Sequence, residues 1–93
     1  MTSKIPEWRI AAAAKPPEWT GDLNDDCTAN WAGFTLRAEW MNKELWWWAV
    51  YDGETSEHLT SSNDIPEKFR SGEIARTAAE DAARKILGLP SRQ

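Results

Sequence analysis

Phe34-Thr35-Leu36-Arg37-Ala38-Glu39-Trp40-Met41, then Asn42-Lys43-Glu44, then Leu45-Trp46-Trp47-Trp48-Ala49-Val50-Tyr51-Asp52-Gly53, is the stretch that decides the fold. Its first part alternates. Phe34, Leu36, Ala38 and Trp40 point one way, and Thr35, Arg37, Glu39 and Met41 the other, which is the two-residue period of a half-buried strand. Leu45–Tyr51 is aromatic and β-branched, which suits a second strand. Asn42, Lys43 and Glu44 are polar and supply the turn between them. Asp52-Gly53 is a strong hairpin signal, and a third, more polar strand is expected at about Ser56–Ser61. The expectation is a three-stranded antiparallel meander.

Three consecutive tryptophans cannot share one face of a strand. One register pairs Trp40 with Trp46, Ala38 with Trp48 and Leu36 with Val50. A second pairs Trp40 with Leu45, Ala38 with Trp47 and Leu36 with Ala49. The Asp52-Gly53 turn would add the pairs Trp46–Leu59 and Trp47–His58. The first register is preferred, with Trp46, Trp48 and Val50 inside and Trp47 outside near Arg37, Glu39, Tyr51 and His58. Whether that outer face stays bare or is covered by Trp8 or Trp19 from the N-terminal segment is left open by the sequence.

Downstream, Asp64-Ile65-Pro66-Glu67 reads as a capping box that opens one short helical turn ending near Gly72. Glu73–Leu87 reads as a helix with an apolar stripe of Ile74, Ala75, Ala78, Ala79, Ala82, Ala83, Ile86 and Leu87. Glu80–Arg84 and Asp81–Lys85 are acid-first pairs four residues apart on its wet side. Gly88 and Pro90 end it. Small alanines against large indole rings would let helix and sheet approach closely at normal packing density.

Upstream, Pro6, Pro16, Pro17, Gly21 and Gly33 interrupt the chain, so residues 1–33 are expected to be irregular, with a short helix or loose tail over Trp8–Ala14. Pro-Glu-Trp occurs at 6–8 and 17–19, without the longer similarity a structural repeat needs. The expected organisation is an irregular segment 1–33, a β-β-β-α core 34–89 and a tail 90–93. The fold class is α+β: a three-stranded antiparallel meander packed on one C-terminal helix.

Composition narrows function more than it defines it. The chain has 93 residues, seven Trp, one Cys and one His, and a net charge of -4. Residues 22–64 hold nine acids against Arg37 and Lys43. A duplex binder shows a concentrated basic footprint, and none is present. There is no long apolar run, so no membrane span is expected. A single thiol without a secretory signature fits a reducing cytoplasm.

Asp22, Asn24 and Asp26 have the opening spacing of a calcium loop, but Cys27 stands where glycine is needed and Gly33 where the closing glutamate belongs. The reading is a polar turn. Cys27 and His58 alone cannot fill a zinc site or form a triad. Glycine-rich phosphate loops and nucleophile elbows are absent. No enzyme, metal or cofactor is expected.

Trp46, Trp48, Val50, Asp52-Gly53 and the run Ala75–Ala83 resemble those of small uncharacterised bacterial and prophage proteins. In these a Trp-x-Trp-x-Val strand, a turn and an Ala-rich amphipathic helix follow one another. The resemblance covers residues 34–87. It implies a β-β-β-α layout, related in outline to double-stranded-RNA-binding folds, and a phage or mobile-element origin, and it carries over no functional residues. The functional expectation is a small non-enzymatic interaction module, a monomer or weak homodimer. It would bind a protein through Trp47, Arg37, Tyr51 and His58, one version being a phage-type inhibitor of a host protein. The alternative is stacking of a sugar or single-stranded nucleic acid on Trp47 and Tyr51.

Overall fold

A computed structural model describes residues 6–42, 45–62 and 71–90. A short helix α1 (Glu7–Ala12) precedes five strands, β1 (Thr20–Asp22), β2 (Asp26–Trp31), β3 (Phe34–Asn42), β4 (Leu45–Asp52) and β5 (His58–Ser61), and a longer helix α2 (Gly72–Ile86) follows. The strands form one antiparallel sheet in the order β1-β2-β3-β4-β5. The α+β class holds, but the three-stranded meander is corrected to five strands, and the stretch expected to be irregular supplies two of them.

The reason lies in β2. Cys27, Ala29 and Trp31 are buried and alternate with Asp26, Thr28 and Asn30. Asp, Asn and Ala are poor strand formers in isolation, so pairing with β3 decides the conformation, not local propensity. Cys27 lies opposite Ala38, Ala29 opposite Leu36 and Trp31 opposite Phe34, which extends the inner face of β3 by one strand. The β2–β3 connection is Ala32-Gly33, both at positive φ (50° and 87°), the conformation a two-residue hairpin turn demands. Asp22–Asp26 is the β1–β2 turn, in which the Asp22 carboxylate accepts the Asn24 backbone N–H at 2.9 Å.

β3 and β4 pair in the preferred register, Trp40 with Trp46, Ala38 with Trp48 and Leu36 with Val50. Trp46, Trp48 and Val50 are buried on the helix side, and Trp47 faces the other way. The β4–β5 pairing differs from expectation. Tyr51, not Trp47, lies opposite His58, and the register shifts between Val50 and Tyr51. The Asp52 carboxylate accepts the N–H groups of Glu54 and Thr55, both at 2.9 Å, and Asp52 N–H donates to the Glu57 carbonyl at 2.8 Å. That capture of two amides draws out a longer loop than a two-residue Asp-Gly turn, and β5 begins only at His58.

Helix α2 packs on β3 and β4. Ser71 caps it, its hydroxyl oxygen accepting the Ile74 N–H at 3.1 Å. Gly72 opens this helix, while the expected capping box at Asp64–Glu67 and the short helical turn it would open lie outside the described residues. Ala75, Ala79 and Ala83, all at 0% exposure, and Leu87 form the buried line. Ala78 and Ala82 flank it partly buried, whereas Ile74 and Ile86 are exposed. The apolar stripe is thus narrower than its composition indicates. A Cβ on Gly72 would stand 2.8 Å from the Trp46 indole, so this position admits no larger residue without displacing the ring.

The N-terminal segment joins the same side of the sheet. Ala13 is buried in the core, Trp19 packs against it, and the Trp19 indole N–H donates to Glu80 of α2 at 2.8 Å. The Trp31 indole N–H donates to the Lys15 carbonyl at 2.7 Å. Replacing Ala79 by Trp should lower unfolding free energy by at least ~1–3 kcal/mol, the usual cost of overpacking. Ile74→Ala should change it by no more than ~0.5 kcal/mol, as at other exposed sites. Urea denaturation of the two variants checks both values.

Candidate functional site

The face of the sheet turned away from α2 collects the polar half of each alternating strand. Register places Asp26 beside Glu39, Thr28 beside Arg37 and Asn30 beside Thr35. Across β3–β4 it places Glu39 beside Trp47, Arg37 beside Ala49 and Thr35 beside Tyr51. Trp47, Arg37, Tyr51 and His58, the four residues singled out from the sequence, therefore share this face. They form two pairs and no single cluster.

The first pair is Arg37 with Trp47. The Arg37 guanidinium makes two bonds to the Asp26 carboxylate, both at 3.0 Å, and a third to Glu39 at 2.8 Å. Its central carbon lies 5.9 Å from the Trp47 ring centroid. The Asp26 hydrogen bond, with smaller contributions from the Asp26 and Glu39 charges, outweighs the opposing effect of burial and holds the Arg37 pKa above its ordinary value. These groups are a third or more exposed, so the ion pairs add little to stability. What they contribute is orientation: a bidentate fork fixes the guanidinium over the indole.

The second pair is Tyr51 with His58, whose rings meet edge to face at 5.7 Å. Between Trp47 and Tyr51 lies Ala49, at 0% exposure. Its β5 partner Ser61 is likewise buried, at 1% exposure, so the face is closed between the two pairs. Asp26 was not legible as a site residue, because its strand was not; the alternation Asp26, Thr28, Asn30 was the available signal.

Cys27 is the other group with reactive chemistry. It faces the core at 1% exposure, and burial pushes its thiol pKa up, partly offset by the Arg76 guanidinium 3.9 Å away. Since the thiolate is the nucleophile, this thiol is held in its inert form near neutral pH. Among the described residues no group of three or more His, Cys, Asp or Glu side chains could hold a metal ion. Among them, too, no helix is long and apolar enough to cross a membrane.

No protein-family model matches the chain, and no curated protein or solved structure matches it either.

Trp48→Ala should cost ~3–5 kcal/mol, the loss for deleting a buried aromatic. Trp47→Ala should cost less, ~1.5 kcal/mol, because its ring is only partly buried and part of its contact is with the Arg37 guanidinium. Thermal melts of the two variants give the comparison. Iodoacetamide near neutral pH should label Cys27 slowly in the folded protein and rapidly in urea, as mass spectrometry would read directly.

Proposed function

We propose that this protein is a small binding module that acts in the cytoplasm by occupying a basic protein surface, with Trp47 at the centre of its contact. The supporting observation is the Trp47–Arg37 pair: a half-buried indole with a guanidinium fixed over it by Asp26 and Glu39. Aromatic and arginine side chains are the residue types that dominate binding energy at interfaces, above all when held in place before the partner arrives. α2, Ala13 and Trp19 all pack on the opposite face, so none of them covers this one.

The charge of the partner follows from that of the module. Two carboxylates surround Arg37 on this face, and residues 22–64 carry nine acids against two bases. Such a surface accelerates encounter with a positively charged partner and disfavours a nucleic acid. A basic, nucleic-acid-binding protein whose surface the module blocks is the inhibitor form of this reading. Stacking of a sugar or base is less well supported, since Arg37 already lies over the Trp47 ring.

Affinity capture from native host extract with wild-type and Trp47→Ala baits tests the reading. Trp40→Ala serves as control, because Trp40 is 43% exposed but belongs to the helix-side half of β3. The wild type and Trp40→Ala should retain one salt-sensitive basic protein, and Trp47→Ala should bind it ~30-fold more weakly, the equivalent of ~2 kcal/mol. Equal retention by all three baits sinks the proposal.

A further inference from the structure

The turn end of the sheet holds a second constellation, independent of the outer face. Helix α1 has six residues and buries none of them, and its Trp8 is 60% exposed. It is held by Arg9. The Arg9 guanidinium carbon lies 4.4 Å from the centroid of the Phe34 ring, and Arg9 Nε donates to the Ala32 carbonyl at 2.7 Å. A Cβ on Gly33 would stand 2.5 Å from Arg9 Nε and 2.9 Å from its Cζ, so the guanidinium fits only because that residue is glycine. The pocket is braced from behind, where Gly53 N–H donates to the Gly33 carbonyl at 2.8 Å.

Three features of this pocket match one chemical group. An aromatic face stacks a planar cation, a backbone carbonyl accepts an in-plane N–H, and the missing Cβ leaves a slot the thickness of a guanidinium. A lysine ammonium satisfies none of these as well, because it is a compact point charge without a plane. The Asp52 carboxyl lies close by. The backbone N–H groups of Thr55 and Glu54 hold its pKa below the usual range, and the Arg9 charge adds to the effect.

Arg9 Nη2 is buried and has no hydrogen-bond partner among the described residues. A cleft of about 680 Å³ opens here, lined by Trp8, Asn30, Asp52 and Glu54 among others. We propose that the turn end of the sheet is an arginine-recognition pocket, filled by Arg9 in the free protein and available to an arginine of a partner peptide that displaces α1. Release of α1 costs the Arg9 contacts, which the incoming arginine replaces, and the partial packing of Ala12 against the core.

The full chain carrying Arg9→Ala, with the pocket vacated, tests this. N-acetyl-arginine amide should raise its Tm saturably, recovering at least about half of what the substitution lost, by mass action on the folded state. N-acetyl-lysine amide at equal concentration should not, and Gly33→Ala added to Arg9→Ala should abolish the effect. Arg9→Lys gives the same readout should Arg9→Ala fail to fold. In the wild type, an acetylated Gly-Arg-Gly amide should shift the Trp8 indole N–H resonance saturably, and its lysine counterpart should leave it in place. An equal response to lysine, an equal Tm rise in wild type and variant, or an unmoved Trp8 resonance overturns the proposal.

Discussion

Everything else in this fold follows from how closely α2 lies on the sheet. Ala75, Ala79 and Ala83 come round one turn apart, so the helix presents a flat line of methyl groups to β3 and β4. Against that line stand Leu36, Ala38, Trp48 and Val50, each at 1% exposure or less. A helix this near the sheet leaves no room for side chains at its own start, hence Gly72 under the Trp46 ring. It also brings arginines within reach of backbone that is distant in sequence. Arg76 donates to the Leu23 carbonyl at 3.0 Å and Arg84 to the Ala13 carbonyl at 3.5 Å. The small-residue line is thus the condition on which the N-terminal third attaches.

β3, β4 and α2 were legible because period and composition agree in them. Phe34–Trp40 alternates cleanly, the tryptophan run has strand character, and the alanines repeat every four residues. The preferred register then put Trp47 on the outer face with Arg37, Tyr51 and His58. β1 and β2 were not legible, since β1 holds only Thr20 and β2 only Thr28 and Trp31 as strand formers, and their conformation is imposed by a neighbour. Asp26 disappeared with them, and so did the reason Arg37 is fixed in place. The β4–β5 pairing was missed for a different reason. Asp-Gly is a good two-residue turn, but the Asp52 side chain competes for the next two amides and wins.

Among the described residues, the arginines are tied into hydrogen bonds within the chain. All four described arginines, Arg9, Arg37, Arg76 and Arg84, donate to acceptors elsewhere in the chain. Three of them bind backbone carbonyls across long stretches of sequence and serve as fasteners. The acidic residues are mostly on turns and on the outer face, where water and partners meet them. The isoelectric point near 4.9 reflects this excess of acids. Both proposed contacts depend on this asymmetry, one through the acidic setting of Trp47 and the other through Asp52 at the mouth of the cleft.

Because each strand pairs only with its neighbour in sequence, the order of assembly is built into the topology. Every hairpin closes a short loop, and loop entropy rises by ~0.6 kcal/mol for each doubling of length. The β2–β3 and β3–β4 ribbons are accordingly the least costly structures to form first, and low contact order of this kind favours fast folding. The expensive closures are those that bring the two ends of the chain together. Trp19 meets Glu80 across 61 residues, and Arg84 meets Ala13 across 71. These contacts reward the chain only after the sheet and α2 have already come together. The topology thus favours late docking of the stretch before β1 and its early release as the native state opens.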